Sequence, residues 1–173
     1  MEIKIIMLLI LICIIGISGC ADQENDSVSE GNEDGIDSQV PIPDAGAIFS
    51  IFTINDSYND WSIWPGQVSH AQGSGVHGDY ITIYVSDDAL SLAESGGQVM
   101  PYETMVVKEG FNSDRELIGV YLMYKAEGFD PDHNDWFWAS YSPDGDVQAE
   151  GKVPGCINCH ERRKNIDYIF SNV

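Results

Sequence analysis

Near its C-terminus the chain carries Cys156-Ile157-Asn158-Cys159-His160. Two thiols separated by two residues and followed at once by an imidazole have the spacing of covalent haem attachment. In such a site the sulfurs add across two vinyl groups, and the histidine becomes an axial ligand of the iron. A redox dithiol needs no adjacent histidine, and a zinc site needs a second ligand pair that this chain does not supply. The expected cofactor is therefore one covalent haem c held by Cys156, Cys159 and His160, with His160 as the metal ligand.

Only Glu161 to Val173 follow the motif, and that segment contains no Met, His or Cys. A sixth ligand must come from upstream, where Met100, Met105, Met123, His70, His77 and His133 are the candidates and no spacing selects one. An open distal position is the expectation, and openness is what ligand binding or catalysis requires.

Covalent haem attachment in prokaryotes is carried out on the exported side, and the N-terminus agrees with that. Lys4 precedes an apolar run from Ile5 to Ile17, too short to span a bilayer as a relaxed helix, and the run ends at Ile17-Ser18-Gly19-Cys20. Residues 1–19 are expected to form a signal peptide. The cysteine after Ser-Gly resembles the lipobox of prokaryotic lipoproteins, which would make the protein extracytoplasmic and membrane-anchored through lipid on Cys20. Cys13 would leave with the signal peptide, so no cysteine remains for a disulfide.

From residue 21 to 44 the composition is dominated by Asp, Glu, Ser, Gly, Asn and Gln with few large apolar residues, and it includes eight acidic residues and no basic one. Such a segment cannot bury enough apolar surface to offset its ordering entropy and is expected to be a disordered tether. Residues 45–173 then form one folded domain. The whole chain has 28 acidic against 8 basic residues, and no Lys or Arg lies between Cys20 and Lys108. Nucleic acid is thereby excluded as a partner, since phosphate contacts need clustered cations. A soluble redox partner protein with a basic surface would be attracted.

The elements that must position the motif are mostly strands. Tyr80–Ser86 alternates Tyr80, Thr82 and Tyr84 against Ile81, Ile83 and Val85. Further strands are expected over Thr104–Glu109, Leu117–Glu127, Asp135–Ser142 and Val147–Gly151. Short helices are expected around Asn55–Trp61, at Ala89–Glu94 and from Asn158 to Phe170, the last with His160 at its start. Trp61 and Trp64 are expected to cover one side of the core. Gly73 to Gly78 reads as a turn carrying an exposed His77. The fold class is mainly β (α+β): an antiparallel sheet with a few short helices, the haem lying between the sheet and the C-terminal CxxCH segment and helix.

Several stretches together resemble the cytochrome P-460 family, which also contains the cytochromes c′-beta. They are Trp64-Pro65-Gly66, Gly75-Val76-His77-Gly78 leading to Tyr84-Val85, Met105-Val106-Val107-Lys108-Glu109-Gly110, Asp135-Trp136-Phe137-Trp138-Ala139, and the Cys156–His160 motif followed by Asp167-Tyr168-Ile169-Phe170. The resemblance implies a homodimeric, mostly β cytochrome with one pentacoordinate haem. In hydroxylamine-oxidising members the lysine of the Val-Lys-Glu strand is bonded to a meso carbon of the porphyrin, and the matching position here is Lys108.

The resemblance implies oxidation of hydroxylamine to nitric oxide or nitrous oxide as the leading activity. The oxidising members also place a carboxylate just before the attachment motif, where this chain has Val153-Pro154-Gly155. Glu150 and Glu109 are the remaining candidate proton acceptors. Trp136, Phe137 and Trp138 could instead cap the distal pocket, as in gas-binding members. The alternative functions are thus a nitric oxide or carbon monoxide-binding cytochrome without turnover, and a membrane-tethered electron carrier.

Overall fold

The computed structural model describes residues 42–96 and 99–170. The signal peptide, Cys20 and nearly all of the acidic tether lie outside the described residues. Seven strands form one antiparallel sheet: β1 (Ser62–Ile63), β2 (Ala71–Gly75), β3 (Gly78–Val85), β4 (Met105–Phe111), β5 (Leu117–Lys125), β6 (Trp136–Tyr141) and β7 (Val147–Gly151). Their order is β1-β3-β4-β5-β6-β7, with β2 also pairing to β3. Three short α-helices, α1 (Ala45–Ser50), α2 (Asp87–Glu94) and α3 (Pro154–His160), complete the expected mainly β architecture.

Side chains alternate across a strand, so each strand supplies two different surfaces. One face of the sheet carries Ile83, Val85, Val106, Met123, Trp136 and Trp138, packed with α2, α3 and the C-terminal Tyr168 and Ile169. The opposite face carries Val107, Val120, Leu122, Phe137, Ala139 and Tyr141, covered by the N-terminal segment through Ala45, Ile48 and Phe52. That second layer is where the sequence reading departs from the structure. Ala45–Ser50, outside every element expected from the sequence, is a helix whose first turn is capped by Asp44, the carboxylate accepting from the Ala47 N–H at 2.6 Å.

The helix expected around Asn55–Trp61 is not one element. A π-helical turn spans Ile51–Asn55, a 3-10 turn spans Tyr58–Asp60, and the chain is extended by Ser62. Extension also corrects the tryptophan pair. Three residues apart along extended chain means opposite faces, so Trp61 joins the N-terminal layer while Trp64 joins the layer of α3.

At the other end, α3 begins at Pro154, whose missing N–H costs nothing in the first turn of a helix. His160 is therefore at the end of the α-helix and not at its start. A 3-10 turn continues over Glu161–Ile166 and stops where Asp167 and Tyr168 both take left-handed backbone angles, φ 57 and φ 62.

The turn between β2 and β3 is a two-residue hairpin, Val76-His77, with Gly75 opposite Gly78 and both glycines at positive φ. It lies against β4 so closely that a Cβ on Gly110 would fall onto the His77 carbonyl oxygen. Gly110→Ala is accordingly expected to destabilise the fold by roughly 1–3 kcal/mol, as overpacking does. A lowered thermal midpoint of the purified protein would show it, whereas an unchanged midpoint would contradict the close approach.

Candidate haem site

Between the first face of the sheet and α3 lies a cavity of about 280 Å3. Cys156, Cys159 and His160 reach it from α3, Lys108 from β4, Tyr121 and Met123 from β5, Trp138 from β6, and His77 and Trp64 from the β2–β3 side. Lys108 is paired in register with Ile83 and Tyr121, which places the three side chains on one face.

His160 is buried, and its ring is gripped edge-on by Trp138 at 4.8 Å and Phe170 at 4.9 Å between centroids. Its Nδ1–H donates to the Tyr168 carbonyl at 2.8 Å, which leaves Nε2 as the free lone pair. Such an outer hydrogen bond fixes the tautomer and raises the ligand's basicity. Burial lowers the imidazole's pKa, opposed by that hydrogen bond, with the Lys108 and Arg162 charges lowering it further. The neutral form is the one a metal needs.

The carbonyl that holds His160 is itself held. Asp167, fully buried, accepts from Lys125 Nζ at 2.7 and 2.8 Å, from the Met100 N–H at 2.8 Å and from Asn134 Nδ2 at 2.9 Å. Trp136 Nε1 donates to the Asp167 carbonyl at 2.9 Å. These bonds pin the left-handed Asp167-Tyr168 reversal and so aim the Tyr168 carbonyl back at His160.

Lys108 enters the cavity with no carboxylate paired to it among the described residues. Burial pushes its ammonium below the usual lysine value, with the Cys159 thiol opposing. The Cys156 thiol is pushed up by burial and then by Cys159. His77 is driven furthest, down to about 3, by burial first and by Lys108 and His160 second.

Several sequence candidates are elsewhere. Glu109 is on the opposite face of β4 from Lys108 and accepts from the Tyr58 hydroxyl at 2.9 Å and the Tyr84 hydroxyl at 3.1 Å. Glu150 faces the N-terminal layer, where it accepts from the Ala45 N–H at 3.0 Å. Neither lines the cavity, and among the described residues no Asp or Glu does. The aromatic run of β6 divides by alternation: Trp138 reaches the cavity, Trp136 turns to Asp167, and Phe137 packs into the other layer.

Of the candidate sixth ligands, His77 and Met123 line the cavity. His70 stacks on Phe111 and His133 pairs with Asp130. The expected exposed His77 is thus corrected to a cavity residue. A turn over Gly73 to Gly78 was legible, but the two-residue hairpin within it and its direction depend on β2 and Gly110, which only the strand pairing brings together.

The residues present fit a haem c. Two thiols and a free imidazole nitrogen converge on an apolar cavity, as thioether formation and axial ligation require. Around that cavity Trp64 Nε1, Trp138 Nε1 and His77 Nδ1 are buried without hydrogen-bond partners. Buried polar atoms are seldom left so unless another group meets them.

Residues 55–171 match the family model described as Cytochrome P460. No curated protein matches the chain.

The Asp167 network gives a thermodynamic prediction. Lys125→Met leaves a buried carboxylate unpaired and is expected to cost roughly 3–5 kcal/mol. Adding Asp167→Asn should recover part of that loss, because a neutral amide no longer needs the cation. Urea denaturation of both single variants and the double variant checks the coupling, and strict additivity would argue against it.

Proposed function

Because the chain belongs to the cytochrome P460 family and so is a mono-haem c-type cytochrome, we propose that it oxidises hydroxylamine to nitric oxide or nitrous oxide. The electrons pass to a soluble one-electron acceptor. The observation that supports this reading best is Lys108, a lysine with no paired carboxylate, in the same cavity as the attachment motif and held toward its neutral, nucleophilic form. In this reading the amine is joined to the porphyrin as in the hydroxylamine-oxidising members of the family that the sequence resembles.

When bound, the haem supplies the redox centre and a coordination position for a small nitrogen compound. The chain's own residues then do the rest. Cys156 and Cys159 hold the group covalently, and His160 offers Nε2 while Tyr168 keeps its other nitrogen occupied. Lys108 would give the group a third point of attachment and so tune its reactivity. Trp64, Trp138 and Phe170 restrict water in an otherwise apolar site. Export, a lipid on Cys20 and a homodimeric state belong to the same proposal.

A second reading is favoured by one specific observation, the absence, among the described residues, of any carboxylate lining the cavity. It is a nitric oxide or carbon monoxide-binding protein without turnover.

Peptide mass mapping of the haem-loaded protein separates the two. The Lys108 peptide is expected to travel with the Cys156–Cys159 haem peptide, and hydroxylamine with a one-electron oxidant should yield gaseous nitrogen oxide. Separate peptides together with no gas would sink the oxidase reading. Lys108→Ala is expected to lower gas formation by at least tenfold, about 1.4 kcal/mol or more of transition-state stabilisation.

A further inference from the structure

The cavity contains one basic group to which neither the attachment chemistry nor the lysine bond assigns a task. His77 sits on the Val76-His77 turn, and its backbone is seated against β4 where Gly110 has no side chain. Its ring packs edge-on against Tyr121, with centroids 4.4 Å apart, and its centroid is 6.4 Å from that of His160. Nδ1 is buried and has no hydrogen-bond partner. A neutral imidazole always keeps one nitrogen as acceptor.

The other lining groups are of a different kind. The indole nitrogens of Trp64 and Trp138 only donate, the thiols and Lys108 are committed to the haem in the reading above, and the Tyr121 and Ser140 hydroxyls, which both donate and accept, are far less basic acceptors than an imidazole nitrogen. Glu109 and Glu150 are engaged beyond the sheet.

We propose that His77 accepts a hydrogen bond from a small N–H or O–H molecule bound at the haem, and so favours protic nitrogen compounds over gases that cannot donate. His77 and the free Nε2 of His160 open on the same cavity, and among the described residues no carboxylate lines it to compete for a donor held there. The selectivity follows from desolvation. A buried acceptor meeting a donor gains a hydrogen bond, while carbon monoxide leaves it unpaired as before. The inference rests on the haem reading, yet it concerns binding and does not require turnover.

The test uses the full-length haem-loaded protein with His77→Phe and His77→Asn variants. Absorption titrations follow hydroxylamine binding to the ferric form and carbon monoxide binding to the ferrous form. His77→Phe is expected to weaken hydroxylamine binding roughly three- to tenfold, the worth of one neutral hydrogen bond, with carbon monoxide affinity unchanged. His77→Asn, which keeps an acceptor oxygen, should restore much of the difference. Equal changes for both molecules, or none for hydroxylamine, would overturn the proposal. A resting six-coordinate low-spin spectrum that becomes high-spin in His77→Phe would also overturn it, by making His77 an iron ligand. Hydroxylamine bound by the wild type without gas release would refute the oxidase reading and leave the selectivity result standing.

Discussion

The structure depends on one buried ion pair. Lys125 and Asp167 meet at 2.7 Å with almost no exposure of either side chain. Taking both charges out of water is expensive, and such pairs often add little net stability over apolar replacements. What this pair adds is a fixed arrangement. Asp167 draws in the Met100 backbone, Asn134 and Trp136 as well, joining the loop before β4, the turn before β6 and the C-terminal reversal at one carboxylate. The consequence for chemistry is a single carbonyl, that of Tyr168, aimed at Nδ1 of His160. The His160 imidazole is thus oriented from the sheet as well as from its own helix.

Around that anchor the sheet sorts chemistry by parity. Lys108 and Glu109 are neighbours in sequence, but one enters the cavity beside α3 and the other ties two tyrosine hydroxyls together in the opposite layer. Trp138 and Phe137 divide in the same way. An acidic chain can in this manner keep carboxylates away from a cavity that holds an amine and two imidazoles. All three of these groups are held toward their neutral forms chiefly by burial.

The alternation that makes this sorting possible was legible in the sequence. The strands from Tyr80 onward, the turn before the first of them and the CxxCH segment were visible because period-two patterning and turn residues are local signals. What escaped was non-local. Ala45–Ser50 has too short an apolar pattern to declare a helix, and its burial comes from Tyr141 and Glu150, far along the chain. The placement of His160 at the end of α3 follows from Pro154 opening the helix and from Asp167 closing the segment. The former is a local cue, whereas the latter's role rests on Lys125, distant in sequence. Glu109 and Glu150 were chosen as candidates by proximity along the chain, and parity and α1 capping remove them from the cavity.

The central claim is that the cavity between the sheet and α3 holds one covalently attached haem on the Cys156–His160 segment. Its most direct test is the intact mass and absorption spectrum of the chain after acid-organic extraction, produced in an exporting host with haem maturation. One haem should remain bound to the wild-type chain and be lost when both Cys156 and Cys159 are replaced by serine. A wild-type chain without haem, or a haem that extracts freely from it, would contradict the account.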